Sequence, residues 1–147
     1  MTAAAPPLLD AEGVSAAYGE TRVLESVNIA LYEGRTLAVV GESGSGKSTL
    51  ARVLSGLLAP VGGTVQLSGR PLAAAARGRS RNELRQIQMI FQAPDTSLNP
   101  RRRVRDEVGR PLALYEGLRG SAQVARTTRP RCKTMTSSAI ACTVARS

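Results

Sequence analysis

The chain has 147 residues and a net charge of +9, with 42% hydrophobic residues, three tyrosines, one phenylalanine, and no tryptophan or histidine. That length supports one domain with its own core rather than two. No apolar run reaches the roughly 20 residues of a membrane-spanning helix, and a chain without histidine whose cysteines are Cys132 and Cys142 alone offers no zinc site. The stretch from Met1 to Pro7 has neither a basic residue nor an apolar core, so it does not read as a signal peptide. The charge is uneven: residues 1–69 carry −2, residues 70–147 carry +11, and no acidic residue follows position 120. Such asymmetry marks either a surface for nucleic acid or anionic lipid, or an arginine-rich tail never shaped as a folded surface. Few aromatics interleave with the arginines, including Arg101-Arg102-Arg103-Val104-Arg105, so stacking on bases is poorly served and nucleic-acid binding is the remotest alternative.

In chain order, residues 9–17 predict a first strand that turns at Tyr18-Gly19-Glu20. Residues 23–33 alternate, with Val27, Ile29 and Leu31 on one face and Asn28, Ala30 and Tyr32 on the other, which predicts a half-buried antiparallel strand. After Glu33-Gly34 the apolar run Thr36-Leu37-Ala38-Val39-Val40 reads as a buried strand. Leu50, Val53, Leu54 and Leu57 recur at helical spacing, and Pro60 breaks that helix. Residues 64–67 alternate between glycine turns; residues 71–78 are alanine-rich and fit either helix or loose chain. Ser80 and Glu83 have capping-box spacing and open a short helix through Arg85. Ile87-Gln88-Met89-Ile90-Phe91 is a second candidate for a buried strand, residues 95–100 read as loop, and residues 104–108 as one or two helical turns. Beyond about residue 119 the periodicity fades, and residues 119–147 read as a basic, disordered tail.

Between the apolar run and the helix lies Gly41-Glu42-Ser43-Gly44-Ser45-Gly46-Lys47-Ser48-Thr49, which fits the phosphate-binding pattern G-x-x-x-x-G-K-[ST]. Glycines without a Cβ let the backbone curl and aim successive N–H groups at a phosphate. The helix N-terminus adds unpaired donors and partial positive charge at the same point. Lys47 can reach the outer phosphates, and the Ser48 hydroxyl is placed to ligate Mg²⁺. A chance glycine-rich turn would lack the flanking strand and helix patterns. A GTPase reading is weak, since the guanine-specifying Asn-Lys-x-Asp is absent.

Two further stretches make the chain resemble the ATPase subunits of ABC transporters. Tyr18 precedes the loop at the distance of their adenine-stacking aromatic, and Gln88-Met89-Ile90-Phe91-Gln92 resembles their Q-loop, with Gln92 as its glutamine. The continuation from Ala93 to Arg101 is similar to the subgroup serving oligopeptide, dipeptide and nickel importers, and the resemblance covers residues 8–118. It implies an α/β fold, a P-loop nucleotide-binding core with an antiparallel β subdomain. It also implies ATP and Mg²⁺ as cofactors, with Tyr18 on the adenine, residues 42–48 on the phosphates, and Ser48 and Gln92 at the metal and the attacking water. The implied partners are transmembrane permease subunits and a second ATPase subunit. The implied location is the cytoplasmic face of the cell membrane, reached through the permease without insertion, and the implied task is uptake of peptides or related solutes.

The sequence departs from that family in its second half. The signature Leu-Ser-Gly-Gly-Gln, the apolar strand ending in Asp-Glu (Walker B) and the switch histidine are absent. Leu54-Ser55-Gly56-Leu57, Leu67-Ser68-Gly69-Arg70 and Asp106-Glu107 are decoys in the wrong context. The expectation is therefore an N-terminal portion truncated before the signature and Walker B strand, with no assignable catalytic residue. The alternative reading is a truncated or frameshifted fragment that at most binds nucleotide. Either way residues 37–40 lose a neighbouring strand, which predicts unpaired backbone and exposed apolar area there.

Overall fold

Two long antiparallel strands, β1 (Leu9–Tyr18) and β2 (Thr21–Leu31), are joined by a tight turn, with Tyr18 opposite Thr21 and Leu9 opposite Leu31. The computed structural model describes residues 6–91, 99, 101–127 and 142–144. The chain groups into two units, residues 1–89 with 141–147, and residues 90–140. In the first, β3 (Gly62–Leu67) pairs with the other edge of β1, and the short β4 (Arg70–Pro71) with β3, giving an antiparallel sheet of order β2-β1-β3-β4. Along β1, Leu9 and Ala11 are buried, then Val14 and Ala16, so the alternation slips by one residue. The slip is a bulge at Glu12-Gly13, where the register shifts against both neighbours and Gly13 sits at φ 60°. A bulge of this kind turns both halves of one strand toward the same core.

Helix α1 (Lys47–Leu54) supplies Leu50, Val53 and Leu54 to that core, beside Leu24, Val65, Leu67 and Ile87. Each such side chain contributes about 1.5–3 kcal/mol by leaving water. Val27, Ile29 and Leu31 pack against the same cluster, on the face their alternation predicts. Beyond the end of α1 a buried arginine closes the helix: Arg79 Nη1 donates to the Leu54 carbonyl at 2.8 Å and Nε to the Ala73 carbonyl at 3.0 Å. A cation there also faces the negative end of the helix. The alanine-rich stretch holds one 3₁₀ turn, Ala76–Gly78. The short α2 (Arg81–Gln86) then opens on the expected capping box: the Glu83 N–H donates to Ser80 Oγ at 3.3 Å, and the Ser80 N–H to Glu83 Oε2 at 2.6 Å.

Residues 36–40 form no strand, contrary to the reading of that run as buried. Val40 is 88% exposed, and Leu37 and Val39 are about half exposed. Among the described residues no strand pairs with this segment, and an apolar run without ladder partners or a covering layer stays exposed. The second candidate strand shortens to β5 (Ile87–Met89), with Ile90 and Phe91 exposed. Its antiparallel partner is β6 (Cys142–Val144), from the stretch whose composition predicts disorder.

In the second unit α3 (Val104–Glu116) runs well past the expected turn or two, continues through Pro111 and ends at Gly117. Asp106 and Glu107 in its first turn complement the helix dipole. They also pair with Arg105 at 3.7 Å and Arg102 at 3.6 Å, which neutralises part of the basic cluster. Residues 120–127 form α4 (Gly120–Thr127), where the tail was expected to lack structure. Packing overrides composition here. Gly109 of α3 is buried, and a Cβ at that position would collide with Gln123 of α4.

Candidate functional site

The phosphate motif spans the end of the exposed segment and the start of α1, and its geometry is set by a few local constraints. Residues 42–45 make a turn in which the Ser45 N–H donates to the Glu42 carbonyl at 3.3 Å, carrying Ser43 and Gly44 at its tip. Gly46 is the N-cap of α1, buried, at φ 89°. That φ favours glycine, and a Cβ there would also lie 2.7 Å from Leu24 Cδ2 and 3.1 Å from the Val23 carbonyl. At Gly41 a Cβ would meet Ser45 Oγ at 2.8 Å, so a side chain there would displace the Ser45 hydroxyl.

The Lys47 ammonium folds back over this loop. It donates to the Gly41 carbonyl at 2.9 Å, to the Glu42 carbonyl, and to Ser45 Oγ at 3.1 Å. Gly46 makes no side-chain cap, and the first turn of α1 holds no acidic residue. The positive end of the helix and the lysine therefore converge at one small opening, a combination that suits a multiply charged anion. Ser48 is exposed beside it. Thr49 is buried, with its hydroxyl beside the Tyr18 phenol.

Tyr18, at the end of β1, lies against α1, where Arg52 Nη1 donates to its hydroxyl at 3.0 Å. The Arg52 bond first, and the Thr49 bond second, hold the phenol below its ordinary pKa, because both stabilise the phenolate. The fold thus brings Tyr18 and residues 41–49 together on the first unit. Gln92 lies outside the described residues. Two shallow surface depressions lie around Asp10, Glu12 and Asn28 and around Pro60, Val65 and Arg79, and neither is lined by Tyr18 or the loop. Residues 41–45 of the loop are exposed, so a ligand can reach their backbone donors.

Arg52 was not among the residues that the sequence singles out. Its separation of 34 residues from Tyr18 hides the contact. The available signal was its i,i+3 spacing from Thr49, which puts both on one face of α1.

For a metal, the described residues contain no group of three or more acidic or cysteine side chains. Ser48 offers one oxygen, so an octahedral Mg²⁺ would take most of its remaining ligands from phosphate and water.

A strand-edged sheet packed on a helix that begins in a phosphate loop is the architecture of an ATP-binding cassette. The ABC transporter family model matches residues 24–142, and the chain belongs to that family. It is 41% identical over 106 residues to the di/tripeptide transport ATP-binding protein DppF of Pseudomonas aeruginosa, a match covering 72% of this chain and 33% of the relative. It is 40% identical over 114 residues to the nickel import ATP-binding protein NikE of Escherichia coli, covering 78% of this chain and 42% of the relative. The chain therefore spans well under half the length of these relatives.

Among solved structures, a nucleotide-free ATP-binding cassette from an ABC transporter superposes with a TM-score of 0.52 at 29% identity, over 61% of this chain and 35% of that one. A cassette in its ADP conformation gives 0.53 at 29% identity, over 63% and 35%. CbiO1 of Clostridium perfringens, part of the ABC transporter complex cbiONQ, gives 0.57 at 22% identity, over 84% and 61%, a likeness of fold alone. No helix among the described residues is long and apolar enough to cross a membrane.

Proposed function

We propose that the loop from Gly41 to Thr49 holds the β- and γ-phosphates of ATP through its backbone N–H groups and Lys47, while Tyr18 stacks on the adenine. Ser48, with Gln92, reaches the accompanying Mg²⁺, which when bound supplies charge neutralisation on the phosphates. The chain then acts within the ATP-binding subunit of an importer, at the cytoplasmic face of membrane permease subunits and beside a second ATPase subunit. The relatives' names, di/tripeptide transport and nickel import, support peptides or related solutes as cargo. The observation that carries the reading is the convergence of the Lys47 ammonium and an uncapped helix N-terminus on one loop.

A second reading limits this chain to binding without turnover. It is favoured by the absence of any histidine and of Leu-Ser-Gly-Gly-Gln from the sequence, and by the exposure of residues 37, 39 and 40. On that reading the isolated chain binds ATP yet releases phosphate at the rate of buffer.

Titration of the full chain with a fluorescent ATP analogue tests the site. Lys47→Ala removes a charge-assisted bond of about 1.5–3 kcal/mol, so affinity should fall about tenfold or more. Equal binding by the two proteins would sink the assignment.

A further inference from the structure

Tyr18 stands where β1 ends, 44% exposed, and its cross-strand neighbour Thr21 is exposed as well. Its recorded side-chain bonds come from α1. Arg52 donates to the phenol oxygen at 3.0 Å, and the Thr49 hydroxyl lies beside the same oxygen. Thr49 is also the last residue of the phosphate motif, so the ring is tied to the helix that opens in the loop.

We propose that Arg52 is the positioning residue for Tyr18: by holding the hydroxyl against α1 it sets the ring at a fixed distance from the phosphate loop, with an open face for an adenine base. This rests on the reading of Tyr18 as the adenine-stacking residue. The phenol oxygen lies on the Cβ–Cγ axis, so fixing it restrains the first side-chain torsion and the position of the ring without covering a face, and the preference of that oxygen to accept in the ring plane orients the ring about the axis. An unrestrained surface tyrosine loses that freedom only when the base arrives. Here the ordering is already done before binding. The spacing between anchored ring and loop then favours a ligand carrying a base and phosphates together over phosphates alone. The lowered phenol pKa is a consequence of the same contact and gives a second readout that needs no nucleotide.

The test uses the full chain with ATP and with inorganic triphosphate, on Arg52→Ala, Arg52→Lys, Tyr18→Phe, Tyr18→Ala and the Tyr18→Phe/Arg52→Ala pair. Arg52→Ala and Tyr18→Phe should each weaken ATP about two- to tenfold and leave triphosphate unchanged. The double variant should be no weaker than either single one, and Arg52→Lys, which keeps a charged donor, should recover most of the affinity. In an ultraviolet titration of phenolate, Arg52→Ala should move one tyrosine's ionisation to higher pH, and that signal should vanish in Tyr18→Phe.

Equal loss of triphosphate would make Arg52 a phosphate contact and overturn the proposal. So would additive losses, or a phenol ionisation that does not move. If Tyr18→Ala weakens ATP and Arg52→Ala does not, the stacking reading stands and the positioning role alone fails. If Tyr18→Ala leaves ATP binding intact, both fall together.

Discussion

Strand β1 and residues 36–40 invert what their compositions suggest. The first interrupts its apolar residues with Asp10, Glu12 and Ser15, whereas the second is Thr-Leu-Ala-Val-Val without interruption. Yet Leu9, Ala11, Val14 and Ala16 are 0% exposed and Val40 is 88% exposed. The difference is company. β1 has β2 on one edge, β3 on the other and α1 over one face, while residues 36–40 pair with no strand among the described residues. An apolar run proposes a buried strand, but ladder partners on both sides are what satisfy its backbone and cover its side chains.

The comparison breaks most visibly in hydrogen exchange. If the sheet opens only by global unfolding at about 5 kcal/mol, amides in the middle of β1 should exchange about 10³-fold or more slowly than those of residues 37–40. Comparable protection in both would mean that residues 36–40 have found a partner, and the contrast drawn here would be wrong.

Stability separates the two next. Leu9→Ala empties a fully buried site and should lower the unfolding free energy by about 2–5 kcal/mol in urea. A loss within error would place Leu9 outside the core.

An intermediate case sharpens the contrast. α2 buries none of its residues, so its capping box stands in for packing. Ser80→Ala should cost about 1 kcal/mol. The Ser80 backbone bond first, and its hydroxyl bond second, hold the Glu83 carboxyl below the usual carboxylate range. A lowered folded pKa stabilises above the unfolded pKa, and that contribution is lost as pH falls through the folded one. Acid titration of helicity should therefore show a step that Glu83→Gln abolishes and that Ser80→Ala, which keeps the backbone donor, only reduces; the same step in Glu83→Gln would mean that Glu83 does not cause it.

The smallest effect belongs to the exposed run. Val40→Ser should change stability by no more than about 0.5 kcal/mol. A larger loss would show Val40 buried in solution.

What could be read from the residues was local. The alternation of Val27, Ile29 and Leu31, the capping box at Ser80 and Glu83, and the glycine-lysine loop each declare themselves within a few positions. The bulge at Gly13 did not, because a one-residue slip is visible only once both neighbouring strands are in register. Nor did α4, whose composition suggested no fold and whose contact is with α3. The pairing of Ile87 with Val144 joins residues far apart in sequence, and no short window carries that information. In the candidate site the loop was legible for the same local reason, and the Arg52–Tyr18 bond was missed because it joins a strand end to a helix through space.

The Lys47 ammonium already has three acceptors inside its own loop. A phosphate entering the loop therefore trades places with two carbonyl dipoles and a hydroxyl instead of meeting a bare cation. Such an exchange is close to neutral for a weakly charged ligand and favourable for a strongly charged one, because the displaced dipoles are returned to water or to each other. If the loop holds phosphates as proposed, it should act as a charge threshold: sulfate and nucleoside monophosphates should fail to bind at concentrations where di- and triphosphates do, and raising the salt concentration should move that threshold upward.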